Sequence, residues 1–541
     1  MPETKGGRLN SVPPDASASD YAGLPLLTPG RRHKIKDALV AVAVANLCFL
    51  RSSFDLLFDG DRYFNKLPVE RAELLALMVN IGCLTFILWT GIRLWRRCPR
   101  SSWIALGLEL AFLVLFILPV DFFRRDILDI TDAAMVAFLK RLPMAGCLGI
   151  FGLLVLWKHR LVARTAAVIA AITWPAALFT LAKTLLLCLN VVHVKQCTVS
   201  QSPAPLLAAR AGTPRVLWII FDETDYRLAF EQRPPPVKLP EFDRLQGESL
   251  SAEAAYAPGD STLYSMPALI AGRRVGGVAY DDCDLALTMA DTDGRAEWTA
   301  LPSVFSEARQ MGVNSALVGW YHPYSHVLGS ALSYCSWYPM PLFEPARSTT
   351  FAGSLFQQIA SLGGPFRIRQ IFINICQESL KEGASLAANP AYGLILLHLP
   401  PPHGPGVYLP EKNQFTRLGL NTVTGYFNNL VLADKELGAL REALETSGQN
   451  NKTWIILSAD HSWRTSKQYD GKRDYRVPFL VRPPGAGDSR AYTRPFNTVL
   501  THDLILAILG GRLTNSASVG AWLDTQGKAD MPIKPVGATG D

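Results

Sequence analysis

The sequence predicts a two-part chain: an N-terminal five-helix transmembrane bundle followed by an exported, doubly wound α/β domain. Three observations predict it. Long apolar stretches dominate up to about residue 190, while the remainder has ordinary proportions of charge, proline and glycine. Basic clusters sit beside the apolar stretches. Beyond residue 214, short β-branched runs ending in acids alternate with amphipathic segments, as in a parallel sheet covered by helices.

Residues 1–33 are polar, contain Pro and Gly, and read as a disordered cytoplasmic segment rather than a cleavable signal. A transmembrane domain over 34–190 follows, with candidate spans at 37–58, 72–92, 102–120, 142–157 and 165–189. Most reach the length of about 20 residues needed to cross the hydrocarbon core. The fourth is short and would lengthen by snorkelling of Lys140, Arg141 and Lys158. Arg31, Arg32, Lys34 and Lys36 precede the first span, Arg93, Arg96, Arg97 and Arg100 follow the second, and Lys158, Arg160 and Arg164 separate the last two. The positive-inside rule places all three clusters in the cytoplasm. The loops Asp59–Glu73 and Asp121–Asp132 then lie outside, and an odd number of spans delivers the rest of the chain to the periplasmic or extracellular side. The expected location is the inner (plasma) membrane, multi-pass.

The net charge of +7 is modest, and the soluble part lacks the basic, aromatic-interleaved face that nucleic-acid binding requires. Five of the nine cysteines (Cys48, Cys83, Cys98, Cys147, Cys188) lie in or beside spans and read as small apolar residues. Cys197, Cys283, Cys335 and Cys376 fall in the exported part, where disulfides are permitted, and the sequence does not choose among their three pairings.

After a linker at 191–214, a catalytic domain is expected over 215–512 and a Gly-, Ser- and Ala-rich tail of little function over 513–541. Strands are predicted at 216–221, 315–319, 393–399, 454–458 and 478–482. The clearest helix runs from about Tyr426 to Leu444, with Phe427, Leu430, Val431, Leu437, Leu440 and Leu444 on one face and Asp434 at the surface. Two strands end in acids, in Phe221-Asp222-Glu223-Thr224 and in Ser458-Ala459-Asp460-His461. Open α/β sheets bind ligands at the carboxyl ends of their strands, so Asp222, Glu223, Asp460 and His461 would converge as ligands of a divalent metal. In Ala257-Pro258-Gly259-Asp260-Ser261-Thr262, a turn leads to a helix capped by Asp260, Ser261 or Thr262 and closed by Gly272. A hydroxyl there has backbone N–H groups and the positive dipole end beside it, a place for an anion.

The order of acid, hydroxyl at a helix start, His-Gly-Pro and Asp-His resembles the alkaline phosphatase superfamily, with its sulfatase and phosphoethanolamine-transferase branches closest. Thr262-Leu263-Tyr264-Ser265-Met266-Pro267 is similar to the transferase T-x-x-S-x-P, and Ala271-Gly272-Arg273 to the end of the sulfatase signature helix. Counting back from Arg273 puts Thr262 at the sulfatase cysteine. Gly312 to His322 resembles the sulfatase G-Y-x-T-A-x-x-G-K-W-H, and His403-Gly404-Pro405 the transferase S-H-G-P. Arg476 to Arg482 looks like the strand after the second metal pair. The match covers about residues 215–485. Five spans ahead of the catalytic domain is also the transferase arrangement.

The resemblance implies that Thr262 is both metal ligand and nucleophile and that Asp222 or Glu223, Asp460 and His461 complete the ligand set. His403 and His322 would contact the transferred group or protonate the leaving oxygen, with Arg476 as a further substrate contact. Threonine cannot be oxidised to formylglycine, and Met266 replaces the signature arginine, so ordinary sulfatase chemistry is not expected. Trp320 and Ser462 replace a lysine and a glycine of the family pattern. No second Asp-x-x-x-His set is present, which favours one divalent metal: zinc, manganese or calcium. The expected activity moves a phosphoethanolamine- or phosphoglycerol-like head group from a membrane lipid to an envelope glycan or lipid through a phospho-threonine. The alternative is a membrane-anchored phosphodiester or sulfate-ester hydrolase. A scaffold or transport role would call for lost ligands or acids within the spans, and neither is expected. His398 reads as a core residue of its strand.

Overall fold

The structure is a computed structural model that describes residues 29–58, 68–99, 102–124, 157–193, 201–208, 212–281, 283–292, 294–340, 348–485, 488–526 and 535–537, with a few single positions between. The predicted disordered N-terminus up to residue 28, the 121–132 loop beyond residue 124 and most of the 142–157 span lie outside the described residues.

All five predicted strands are present, in an eight-stranded sheet. Its spatial order is Arg490–Tyr492, Leu250–Ala252, Phe479–Arg482, Thr453–Ser458, Arg215–Phe221, Leu394–Leu399, Ser315–Trp320, Tyr334–Tyr338. Only Phe479–Arg482 runs against the others. The central strand shows why an uninterrupted apolar run belongs there. Its alternate residues Val216, Trp218 and Ile220 enter one core, and Leu217, Ile219 and Phe221 the other. The predicted helix is observed as Thr422–Thr446. Asp434, expected at the surface, is buried instead: its Oδ1 accepts from the backbone N–H groups of Glu241 (2.9 Å) and Phe242 (2.8 Å) and so holds the start of Pro240–Gly247. The tail, too, is built into the fold. Ser516–Thr525 buries Val519 and Leu523 in the domain core, and Val536 pairs with the Pro258–Asp260 turn.

The N-terminal region is helical, but a five-span bundle is not what the described residues show. Arg71–Arg97 alone is long and apolar enough to cross a membrane. Two bent pairs, His33–Cys48 with Leu50–Leu57 (66°) and His159–Ile172 with Trp174–Cys188 (46°), would raise the number to three if each were one span. Trp103–Ile117 is shorter. Acids do occur within these helices, contrary to expectation. Glu109 is buried in Trp103–Ile117 beside His159, accepting from Trp95 Nε1 at 2.7 Å with Arg160 at 3.9 Å. Asp37 pairs with Arg96 at 2.5 Å. These contacts gather residues of the second and third basic clusters, with Asp37 just after the first, at one end of the helices. The other end meets the α/β domain: Phe64 is wholly buried in the domain core against Tyr280 and His326, and Ser52 lies 3.3 Å from Ser361. Cys197 and Cys283 are disulfide-bonded there, with Cα atoms 5.1 Å apart, while Cys335 and Cys376 remain thiols.

Candidate active site

The strand Arg215–Phe221 delivers Asp222 to the carboxyl edge of the sheet, and its neighbour Thr453–Ser458 delivers Asp460 and His461. Helix Thr262–Ala271 brings the hydroxyl. Ser261 is its N-cap but makes no side-chain cap bond; Ser265 Oγ instead ties back to the Gly259 N–H (3.0 Å) and carbonyl (2.8 Å). Gly272 ends the helix at φ 64°, a left-handed conformation that favours glycine, and a Cβ there would meet His502 at 2.7 Å. Freed from capping, Thr262 Oγ1 donates to Asp460 Oδ2 at 2.7 Å and lies 3.5 Å from Asp222 Oδ2 and 3.4 Å from His461 Nε2.

The group is tight and dry. His461 Nε2 is 3.4 Å from Asp222 Oδ1 and 3.5 Å from Asp460 Oδ2, and all three side chains are buried. Four ligands about 2.0–2.1 Å from a tetrahedral cation stand about 3.3 Å from one another, close to the 3.4–3.5 Å separations here apart from the 2.7 Å Thr262–Asp460 hydrogen bond. Two carboxylates buried this closely repel unless a cation or a proton lies between them. Burial first, and then the charges of Asp460 and Glu223, hold the Asp222 carboxyl well above the usual carboxylate range. Asp222 Oδ1 is buried without a hydrogen bond. The donor set therefore fits a divalent metal, with oxygen and imidazole ligands from four residues.

His398, expected in the core, also reaches this group. Its Nε2 lies 4.0 Å from Asp222 Oδ2 and has no hydrogen bond, and ligand atoms of Asp222, His398 and Asp460 fall within 4.8 Å of one another. Tyr324 holds the other ring nitrogen at 2.9 Å, and burial lowers the imidazole to about 4. Gly319 makes room for that tyrosine, since a Cβ would stand 2.4 Å from the Tyr324 ring. A histidine inside the otherwise apolar run Leu394-Ile395-Leu396-Leu397-His398-Leu399 was the available signal.

The remaining predicted residues take distinct places. Glu223 adopts φ 67° and gives its N–H to Asp460 Oδ1 at 3.2 Å, while its carboxylate accepts from Arg464 N and Nε, both at 3.3 Å. Burial raises Glu223, but the His403 and His461 imidazoles and Arg464 outweigh it and draw the carboxyl below its ordinary value. A non-glycine residue in this conformation costs roughly 1–3 kcal/mol, so the surroundings impose it. Tyr321, at the end of Ser315–Trp320, is likewise left-handed at φ 73°. His322 is fully buried rather than open to substrate. Its Nε2 lies 3.1 Å from the Thr262 carbonyl, and burial lowers it to about 3, so the neutral ring donates to that oxygen and braces the nucleophile's backbone. His403 is half-buried against the Trp320 ring (5.1 Å). Its Nδ1 is 2.7 Å from the Gly404 carbonyl, which leaves Nε2 as the remaining acceptor. Buried Asn429 pins this loop through the carbonyls of His403 and Pro405, both at 3.0 Å, a role its polar position in an amphipathic helix did not reveal. Arg476 is taken up elsewhere, by Glu231 at 2.7 Å and Asp474 at 2.7 Å. Arg473 is the basic residue beside the nucleophile turn, bonded to Asp260 and to Ser462 Oγ (2.9 Å).

The sulfatase family profile matches residues 214–510, more than half of the chain and all of the site. The chain belongs to the sulfatase family. It is an enzyme of the alkaline phosphatase superfamily, and the matched residues form the α/β part. No curated protein is matched by the chain. Among solved structures it is similar to Ps i-CgsB, seen with a neocarrahexaose (17% identity, 58% of this chain and 76% of that one, TM-score 0.42). It is also similar to an alkaline phosphatase superfamily protein from Vibrio parahaemolyticus (14%, 59% and 74%, 0.38). A third is the lipoteichoic acid synthase LtaP from Listeria monocytogenes (14%, 56% and 76%, 0.35). None of these likenesses bears on substrate. The sulfatase family signature nucleophile is oxidised to formylglycine, a route closed to Thr262.

Proposed function

We propose that the protein is a metal-dependent transferase that moves a phospho-head-group from a membrane lipid to an envelope acceptor through a phospho-threonine. The observation that carries this is the threonine hydroxyl hydrogen-bonded to Asp460 at a helix N-terminus, within 3.5 Å of Asp222 and His461. Asp222, Thr262, Asp460 and His461 would hold the cation, with His398 beside them. A divalent cation bound there would act as a Lewis acid toward the phosphoryl oxygens and the attacking oxygen.

The side chains supply the rest. Thr262 Oγ1 passes its proton to Asp460 and bonds to phosphorus, and the bond from phosphorus to the lipid oxygen breaks. The departing lipid alkoxide takes a solvent proton and leaves as the alcohol. His322 and the Ser265–Gly259 bonds hold the Thr262 backbone still, and the helix N–H groups face the developing negative charge. In the second half, the acceptor hydroxyl gives its proton to His403 Nε2 and attacks phosphorus, the bond from phosphorus to Thr262 Oγ1 breaks, Thr262 recovers its proton from Asp460, and His403 returns its proton to solvent. The helical region argues for a lipid donor, since it would keep the nucleophile near a bilayer. The basic end of the helices would lie in the cytoplasm, and the α/β domain at their other end in the periplasm or outside the cell.

The test is to incubate the metal-replete full-length protein with head-group-labelled phospholipids. Label should appear on Thr262, leave it when an acceptor is added, and be lost in Thr262→Ala. No adduct and no lipid turnover would remove the proposal, and release of the group to water alone would make the enzyme a hydrolase.

A further inference from the structure

The helix Phe351–Ser361 is built inside out. Its Ser354 and Gln358 are wholly buried, while Phe351, Phe356 and Ile359 are 42%, 67% and 51% exposed. Phe366, in the first turn of the following helix Pro365–Ala388, is 55% exposed. A helix packed on a protein in water does the reverse and turns its large apolar residues inward. The helix it packs against, the membrane-length Arg71–Arg97, shares part of this pattern, with Leu74, Leu77 and Ile81 buried as well. There Glu73 and Asn80 are buried while Leu75, Val79 and Phe86 are exposed. Polar groups join the two helices. Asn80 Nδ2 donates to Gln358 Oε1 (3.0 Å) and the Leu355 carbonyl (3.2 Å), and Gln358 Nε2 donates to the Glu73 carbonyl (2.9 Å).

We infer that Phe351–Ser361 and the first turns of Pro365–Ala388 sit in the head-group layer of a phospholipid bilayer and set the catalytic mouth at its surface. The occupant is a lipid surface for two reasons. The helix is bonded through Gln358 and Leu355 to Arg71–Arg97, which exposes an apolar flank of its own, so the layer that covers that flank lies beside this face. The patch also has basic neighbours suited to lipid phosphates. Arg367 and Arg369 lie within a turn of Phe366, and exposed Arg417 and Leu418 stand on the loop whose Gly419 approaches the Arg369 guanidinium. From this layer the helix leads to the site. Phe372 comes six residues after Phe366, about 9 Å along the axis at 1.5 Å per residue. Its ring meets Trp320 at 5.8 Å, and Trp320 carries His403 on its other contact at 5.1 Å.

The inference rests on the membrane-lipid reading of the donor and specifies where that donor is met. Its test needs no turnover. The photo-reactive residue benzoylphenylalanine replaces, one at a time, Phe356, Phe366, Phe86 and Met311, the last an exposed apolar residue at the opposite edge of the sheet. Each full-length variant is reconstituted into vesicles of phosphatidylethanolamine and phosphatidylglycerol containing a tritiated diacyl lipid and irradiated. Positions 356 and 366 should take up lipid within about threefold of position 86 and at least tenfold above position 311. Lipid uptake at 86 with 356 and 366 no higher than 311, or cross-links from them to protein instead, overturns the inference and leaves the lipid-donor reading standing. No uptake at 86 removes the membrane reading, and this inference with it.

Discussion

Two buried groups of acid and imidazole lie at opposite ends of this molecule, and they differ in how their charge is met. At the basic end of the helices, Asp37 is paired with Arg96 and approached by Arg93, and Glu109 is met by Trp95, His159 and Arg160. Each carboxylate has its cation on the chain. At the sheet edge, Asp222 and Asp460 face one another across Thr262 with no arginine or lysine in contact among the described residues, and Arg464 is turned to Glu223. Similar residue types therefore make a self-neutralised structural joint in one place and a site short of positive charge in the other. Burial of an acid marks neither by itself; the missing partner does.

The sharpest way to break this comparison is to remove one acid from each group. Asp460→Asn should cost at least a thousandfold in turnover and most of the bound metal by elemental analysis, because it removes a ligand and the proton acceptor of Thr262 together. Glu109→Gln should leave metal content and turnover within about twofold while lowering the thermal stability of the helical region, since it strips the charge facing His159 and Arg160. Metal loss in Glu109→Gln, or normal metal in Asp460→Asn, would reverse the assignment of the two groups.

Metal removal should separate them again. Dialysis against a chelator leaves the helical joint untouched but exposes the Asp222–Asp460 repulsion, so the α/β domain should melt several degrees lower. A cation present at 100 times its Kd stabilises by about 2.7 kcal/mol, which sets the scale. Unchanged melting with and without metal, monitored by near-UV dichroism, would mean that no cation is bound there.

A smaller effect should follow from the tail. Val536 bonds the Pro258 carbonyl (3.0 Å) and the Asp260 N–H (2.9 Å), two residues before the nucleophile. Truncation after Thr525 removes this strap. Because sub-ångström placement of an attacking group matters, turnover should fall about tenfold with metal content preserved. Loss of metal in parallel would show that the strap supports the ligands rather than the hydroxyl.

What the sequence made legible follows the same line between strong and weak patterning. The five core strands could be read because runs such as Val216–Ile220 are apolar on both faces, a signal few other structures produce. The edge strands Tyr334–Tyr338 and Arg490–Tyr492 and the short inner strand Leu250–Ala252 carry no such run and are not legible in the sequence. At the site, the acids at strand ends and the hydroxyl at a helix start were visible, and the fold brings Asp222, Thr262, Asp460 and His461 together. His398 was not, because a histidine within an apolar strand looks like packing until its ring nitrogen is found bare beside a carboxylate. Arg476 was misplaced for a related reason: a cation's partners, here Glu231 and Asp474, are set by tertiary structure. In the helical region the described residues give one membrane-length helix, or three spans with the bent pairs, and the five-span count is not confirmed, since apolar composition alone does not fix where a helix bends or stops.

Asp434 supplies a third way to bury an acid, and the mildest test. Among the described residues it has no cation in contact, only two backbone N–H groups at a helix start. Burial, partly offset by those bonds, raises its carboxyl to about 7, against a usual unfolded value near 3.9. The folded protein thus keeps a proton that the unfolded chain releases, and stability falls as pH rises from about 4 to about 7, then levels off. Asp434→Asn keeps an oxygen for both N–H groups and cannot ionise. Its melting temperature relative to wild type should therefore climb between pH 5 and pH 7 and stay constant above, with turnover unaffected. A difference that is flat across this range would show that the helix N-terminus neutralises Asp434 as fully as arginines neutralise Asp37, and would leave the sheet-edge pair as the one acid group of these three that calls for an external cation.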